Sequence, residues 1–378
     1  MSIADQHQQP SQGYTIGIDA SRSVSAQPTG TELYSRYLIE ALLDRAPDHY
    51  SFLLYFNQVP PSALSPQPSA LRVIPFPRLW THIRLSTEMI LHRPDLLFVP
   101  AHVLPIIHPR RSVVTVHDLG YLYFPEAHPP RQRWYLDRST RWHTLTAAHL
   151  LADSAATKRD LINQYHADPD RITVAYPGLD PAIKRVDDPA EIARVKAKYH
   201  IDGDYLLYLG TIQPRKNLQR LIAAFASCNL PLALVLAGKS GWYAEQLLQQ
   251  ANDRVKFSGY VDAADKNALL SGATAFVFPS LYEGFGFPVL EAMACGVPVL
   301  CSNTSSLPEV AGEAAVLVNA LEVDDIARRL HEIAANEDLR KTLIERGYRQ
   351  AQMFSWQACA DSVLEVFENV LKPSKIAR

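Results

Sequence analysis

The run from Phe276 to Pro298 leaves a chain little choice of fold. Phe276-Val277-Phe278 is a short unbroken apolar segment, the pattern of a strand buried on both faces. The loop Pro279-Ser280-Leu281-Tyr282-Glu283-Gly284-Phe285-Gly286-Phe287 follows. Pro288 then stands at the first turn of a helix, where its missing N–H costs nothing, and Gly296 stops that helix. Strand, glycine loop and helix in this order build a parallel sheet, with the loop at the carboxyl edge where open α/β folds bind ligands. A helix over Pro288 to Cys295 puts Glu283 ahead of its N-terminus and Glu291 one turn inside, both toward that edge. The free amides of Gly284, Phe285, Gly286 and Phe287 add anion-binding donors, strengthened by the helix dipole. Two carboxylates placed there suit hydroxyl groups. Taken as an isolated pair, Glu283 reads more readily as a helix N-terminal partner and Glu291 as a solvated helix residue, a balance that the surrounding glycines and prolines shift.

The same unit recurs along the chain. Tyr205 to Gly210 is a strand, and its loop reads Thr211-Ile212-Gln213-Pro214-Arg215-Lys216-Asn217. Adjacent cations at a helix mouth are repelled by its dipole unless an anion sits between them, which points Arg215 and Lys216 at a phosphate. An exposed basic loop is the plain alternative. Leu232 to Ala237 ends in Gly238-Lys239, and Val255 to Phe257 ends in Ser258-Gly259-Tyr260-Val261. In the first half, Tyr14 to Asp19 is a strand, followed by a loop through Gln27-Pro28-Thr29-Gly30 and a helix over Thr31 to Leu43. Gly30 stands at the mouth of that helix as a turn residue or a point of close ligand approach. Further strands are expected at Ser51 to Phe56, Leu71 to Ile74, Leu96 to Pro100, Val113 to Asp118, Leu150 to Ser154 and Arg171 to Ala175. Val113 to Asp118 delivers His117 and Asp118 to the carboxyl edge, where a lone histidine is commonly structural.

Alternation of this kind in both halves predicts an α/β protein of two Rossmann-like, doubly wound domains facing across a cleft. A length of 378 residues suits two such domains. The turn-rich Tyr176 to Pro181 marks the boundary, giving domains over 14–182 and 183–355. Residues 1–13, polar and rich in Gln, read as a disordered tail without the features of a signal peptide. Helices are expected at Asp324 to Asn336, Glu337 to Gln352 and Trp356 to Lys372, with the last segment, 356–378, crossing back to the first domain.

A formal net charge of −2 gives no reason to expect nucleic acid as a partner. No apolar run approaches the length of a membrane span. Cys228, Cys295, Cys301 and Cys359 are scattered without metal-ligand spacing, which fits a reducing compartment and no bound metal. Neither first strand leads into G-x-G-x-x-G, so a dinucleotide oxidoreductase fits poorly.

Residues 129–151 read as a long helix carrying Arg131, Arg133, Arg138 and Arg141 beside Trp134, Tyr135 and Trp142. Such a helix suits an anionic membrane or an acidic acceptor. It is equally a solvated face with its tryptophans turned to the core, the reading preferred here.

The thirteen residues from Ser280 to Ala292, with Glu283-x7-Glu291 inside them, resemble the retaining, nucleotide-sugar-dependent glycosyltransferases of GT-B type, glycosyltransferase family 4. The resemblance runs from Tyr14 to about Val370 and is most specific at Arg215-Lys216 and at the Glu283 segment. It implies transfer of a hexose from a nucleoside diphosphate sugar to a hydroxyl of a glycan or lipid-linked acceptor, with retained configuration and no metal. Arg215 and Lys216 match the family's diphosphate-holding pair. Glu291 is implied as the ribose partner, Glu283 as the residue fixing sugar hydroxyls, and Tyr260-Val261 as the border of the base. The loop at Gly30 is implied to face the cleft, as are Thr211 and Gly238. Val113 to Glu126 resembles the His-Asp-Leu segment of mannosyltransferases, which places His117 near the donor sugar and makes GDP-mannose the preferred donor. Asp118 is kept as a loop-holding residue. Glu32 and Leu33 stand where Gly-Arg is common and Gln213 where an acid is common, so no contact is carried over for Glu32 and Leu33.

Three alternatives stay open. One is a UDP-sugar-dependent transferase, another a nucleotide-sugar epimerase, which needs no acceptor. The third is a non-catalytic nucleotide-sugar-binding protein. The expected location is cytoplasmic, with peripheral contact at the inner face of the membrane through 129–151 as an open possibility.

Overall fold

The computed structural model describes residues 13–372 except 25–29, 61–68, 102, 240–246, 248 and 250. The expected disordered tail and the Gln27-Pro28-Thr29 part of the first loop fall outside the described residues.

Two parallel sheets form the frame. The first has the order β3-β2-β1-β4-β5-β6-β7, from β1 (Tyr14–Asp19), β2 (Tyr50–Phe56), β3 (Ser69–Val73), β4 (Leu96–Val99), β5 (Ser112–Val116), β6 (His149–Ala152) and β7 (Ile172–Val174). The second has the order β10-β9-β8-β11-β12-β13, from β8 (Tyr205–Leu209), β9 (Ala233–Ala237), β10 (Val255–Gly259), β11 (Ala275–Phe278), β12 (Val299–Ser302) and β13 (Ala315–Val318). Both orders reverse beside the first strand of their sheet, so each has a switch point, between β1 and β4 and between β8 and β11. Helices cover both faces, which is why β4, β5 and β11 are buried along their whole length and read as apolar runs instead of alternating.

The first domain carries α1 (Gly30–Arg45), a π-turn over Thr81–Leu85 that continues into α2 (Ser86–Leu91), α3 (Gly120–Tyr123), α4 (Pro130–Thr146) and α5 (Ala155–Tyr165). The second carries α6 (Pro189–Lys198), α7 (Leu218–Ser227), α8 (Ala263–Ser271), α9 (Phe287–Ala294), α10 (Leu307–Ala311), α11 (Val323–Ala335) and α12 (Glu337–Gln352). The final helix, α13 (Trp356–Leu371), begins at Ser355, whose side chain accepts from the Ala358 amide. Its apolar face joins Tyr34, Leu38 and Leu42 of α1 in one core, and Phe367 packs edge-on against Phe98 at 5.3 Å.

Two expectations need correction around α4. The helix ends at Thr146, not near Leu151. Ala147 is extended and the Ala148 amide bonds to the Ser112 carbonyl at 2.8 Å, so the apolar end of the segment is drawn into the sheet as β6. The tryptophans do not face the core. Trp134 and Trp142 are exposed, and the inward side of α4 is Ser139, Thr140, His143 and Thr144.

The helical stretch 81–91 gave no sign in the sequence, because its inward side includes a charge. Glu88 is buried there against Arg72 at 2.8 Å and Arg84 at 3.0 Å, a partnership that a reading for apolar periodicity scores as a break. Strand β13 was likewise unannounced.

Candidate active site

The carboxyl edges of the two sheets face one cleft of about 400 Å³. From the first domain Gly30, Leu33, His117, Asp118 and Asp153 line it. The second domain contributes Thr211, Arg215, Lys216, Lys266, the loop Glu283 to Phe287, and Glu291.

Two loops flanking the second switch point are laced together. The Leu281 amide donates to the Arg215 carbonyl at 2.8 Å, and the Asn217 side chain donates to the Pro279 and Ala320 carbonyls at 3.2 and 2.6 Å. Asn217 adopts the left-handed conformation, φ 60°, which Asn tolerates better than most residues. That turn sets the preceding Arg215 and Lys216 side by side, facing Glu283. Arg215 Nη1 lies 2.8 Å from Glu283 Oε2 and 2.9 Å from the Tyr282 carbonyl, while Lys216 Nζ takes Glu283 Oε1.

Burial opposes ionisation of Glu283, but Lys216 and Arg215 outweigh it and hold its carboxyl at about 2. Burial pushes the Lys216 ammonium down to about 8, with Glu283 only partly compensating. The cluster itself sets two cations against one carboxylate, and the Asp118 carboxylate on the opposite wall also acts on both cations.

Glu291, one turn into α9, is paired with Lys266 of α8 at 2.5 Å. On the opposite wall His117 Nδ1 meets Asp153 Oδ2 at 2.7 Å. His117 Nε2 is buried, and the Pro100 backbone also favours the protonated ring. Burial disfavours the imidazolium, yet the Asp153 carboxylate overrides it and the His117 pKa is raised. Tyr34 sits edge-on to the ring at 4.7 Å and fixes its plane.

Most of the singled-out residues meet in this cleft: Gly30, His117, Thr211, Arg215, Lys216, Glu283, Gly284, Phe285, Gly286, Phe287 and Glu291. Gly238, Tyr260 and Val261 are not brought into its lining. The Gly238 amide is spent on the Gly259 carbonyl at 2.8 Å, and the exposed Tyr260 ring lies beneath Lys239 Nζ at 5.5 Å. Leu33 does line the cleft, while Glu32 is held by Arg22 at 3.3 Å.

Asp153 and Lys266 were missed. Asp153 read as the end of β6 before a cap, and nothing in the local sequence of α8 marks Lys266, since its partner is supplied by another helix.

The second domain also grips the first. Tyr282 Oη donates to Asp160 at 2.8 Å and accepts from the Leu119 amide at 3.1 Å. Thr157 Oγ1 donates to the Gly284 carbonyl at 3.3 Å. Glu309 of α10 accepts from the Ala155 and Ala156 amides at 2.8 and 2.9 Å, closing the N-terminus of α5 from the opposite domain.

Two Rossmann-like domains with their carboxyl edges on one cleft are the GT-B arrangement, the architecture of nucleotide-sugar glycosyltransferases. Anabaena HepE solved with UDP-glucose has the same fold, with a TM-score of 0.70 at 19% identity over 94% of this chain and 99% of that one. Residues 28–183 match the model described as Glycosyltransferase Family 4, and residues 191–350 match Glycosyl transferases group 1. The chain is 34% identical to the O-antigen chain mannosyltransferase B of Escherichia coli over 270 residues, 68% of this chain and 70% of that one. It is 31% identical over 282 residues to the serotype-specific mannosyltransferase WbdA of Escherichia coli, covering 71% of this chain but 34% of that longer protein. The chain belongs to glycosyltransferase family 4, and it is a hexosyltransferase that uses a nucleotide sugar.

Proposed function

We propose that the protein transfers mannose from GDP-mannose to a hydroxyl of a glycan or lipid-linked acceptor, with retention at the anomeric carbon. The observation that carries this is the Arg215–Lys216–Glu283 cluster, which presents two cations sharing one carboxylate to the cleft beside the loop Gly284 to Phe287. A nucleoside diphosphate leaves as an anion, and these groups supply the countercharge without a metal. Mannose is favoured over other hexoses by the relatives named as mannosyltransferases, together with His117 facing the cleft.

In this reading the acceptor oxygen forms its bond to the anomeric carbon on the face that the diphosphate leaves. The acceptor proton passes to a leaving phosphate oxygen as the bond from carbon to that phosphate breaks. No second carboxylate is needed as nucleophile, which separates the site from a two-carboxylate glycosidase. Glu283 keeps the cations in place and offers the remaining lone pairs of its two engaged oxygens to the sugar hydroxyls, and His117, oriented by Asp153, faces the sugar from the other wall. Glu291 holds the ribose hydroxyls, with Lys266 steadying it.

A panel of GDP- and UDP-sugars, scored for nucleoside diphosphate release, tests the proposal. GDP-mannose should give the highest rate, and no release from any donor overturns it. The UDP-sugar alternative has its own support in the HepE complex, so a higher rate with UDP-glucose transfers the reading to that donor. The configuration of the product, read from its anomeric NMR coupling, tests retention.

Glu291→Ala should weaken nucleoside diphosphate binding about tenfold or more, the loss expected for charge-assisted hydrogen bonds. An unchanged affinity by calorimetry removes the ribose role.

Lys216 adds a pH signature. Its pKa of about 8 in the free protein rises when a diphosphate arrives, so binding takes up protons near pH 8 and affinity falls as pH climbs above it. Calorimetry in buffers of different ionisation enthalpy should show that uptake, and its absence would mean the protonation of Lys216 does not change on binding.

A further inference from the structure

Exposed large hydrophobic side chains are unevenly shared between the domains. Among the described residues, all but Tyr260, Leu321 and Met353 lie between Val59 and Tyr176. One group, Trp134, Tyr135, Trp142 and Leu145, is on α4. Arg131, Trp134, Arg138, Arg141 and Leu145 recur at steps of three and four residues, one stripe of the helix opposite the buried Ser139, Thr140 and His143. Trp134 and Leu145 on that stripe are 66% and 71% exposed. The one acid of α4, Asp137, accepts from Tyr165 Oη at 2.8 Å and lies 3.9 Å from Arg141, so it offsets one arginine of the stripe and leaves Arg131 and Arg138 uncompensated within the helix.

The stripe continues onto neighbouring elements. His82 of the π-turn bonds to Tyr135 Oη at 2.7 Å, which seats the exposed Leu79 and Ile83 beside α4. At the other end, His108 meets the Trp142 ring at 6.1 Å, and the Ile107 amide donates to Ser86 of α2 at 3.2 Å. Exposed Ile106 and Ile107 therefore close the gap between α4 and α2. The result is one face on a single side of the first sheet. It reaches toward the cleft at Trp134, because α4 begins on the carboxyl-edge side of β5.

We propose that this face docks the protein on an anionic lipid bilayer. A second copy of the chain is a poor occupant, since a two-fold contact would set arginine stripe against arginine stripe. A bilayer with anionic headgroups meets every feature at once. Arginines take the phosphates, tryptophan and tyrosine sit at headgroup level, and Leu79, Ile83, Ile106 and Leu145 enter the acyl boundary. Bound in this way, the cleft opens beside the membrane, within reach of a lipid-linked acceptor.

Co-sedimentation with phosphatidylcholine vesicles, with and without phosphatidylglycerol, tests the proposal. The full chain should bind the anionic vesicles, release with added salt, and ignore neutral ones. The triple change Arg131→Ser, Arg138→Ser, Arg141→Ser should weaken binding about a hundredfold, roughly fivefold for each arginine near the surface. Trp134→Ser with Leu145→Ser should weaken it without altering the salt dependence. These positions are exposed, so melting temperature and the stabilisation by GDP serve as controls that should not move. Failure of the full chain to bind anionic vesicles overturns the proposal. So does equal binding by the arginine variant, or dimerisation in the ultracentrifuge that the same changes abolish.

Discussion

Glu283→Gln is expected to cut turnover by about a hundredfold or more and to make the protein more responsive to GDP than the natural chain. The first effect is that of losing one well-placed electrostatic group from a transfer site. The second follows from the charge arrangement. Glu283 is buried between Arg215 and Lys216, and an amide leaves the buried Lys216 ammonium and the half-buried Arg215 guanidinium facing each other. Breaking a buried ion pair in this way costs about 3 kcal/mol or more, so the free variant should melt early. A diphosphate supplies the missing negative charge, so saturating GDP should raise the melting temperature of the variant by more than it raises that of the parent. Equal shifts would mean that the cations are not what the nucleotide meets. The pair of measurements also separates a folding defect from a chemical one, because a variant rescued in stability by GDP yet still slow has lost a step after binding.

Gly284→Ala is the second substitution with a large expected effect, through closure of the cleft and not through ligand chemistry. A β-carbon at position 284 would lie 2.2 Å from the His117 carbonyl oxygen and 2.7 Å from Asp118 Cβ. Both belong to the opposite domain, so relief comes from parting the domains, which pulls the donor loop away from the wall that carries His117. Each domain keeps its own core, and nucleotide binding to the second should fall by much less than turnover, which is expected to drop about a hundredfold for a displacement of an ångström or more. Small-angle scattering should show a larger radius for the variant with nucleotide bound. A compact variant with full activity would mean that the observed approach of Gly284 to His117 is not needed for the reaction.

What could be read ahead of the structure was whatever depends on neighbours in the chain. Each strand followed by a glycine turn and a helix announces a carboxyl-edge loop, so Arg215, Lys216, Glu283 and Glu291 were found from local pattern and from the resemblance they carry. The hidden part depends on contacts between distant segments. Lys266 matters because α8 and α9 meet, and Asp153 because β6 ends beside β5. The orientation of α4 was misjudged because aromatic residues near arginines were assigned to the core. Its inward side is instead polar, with Tyr121 bonded to Thr140 and His143 accepting from the Leu104 amide. Tyr260 and Val261 were carried over from the family, and the structure puts them outside the cleft lining.

The chain passes between the domains twice, once after β7 and once before α13, and the two passages touch. The Leu179 amide donates to the Phe354 carbonyl at 3.3 Å, and a β-carbon on Gly178 would lie 2.2 Å from the Trp356 amide nitrogen. Mechanically this is a paired strap at one corner, which permits swinging about that corner and resists sliding or twisting. Glu309 on α5, Tyr282 on Asp160 and Thr157 on the Gly284 carbonyl hold the domains together away from that corner. A molecule jointed in this way has few intermediate postures, so its two walls meet in one register each time they come together.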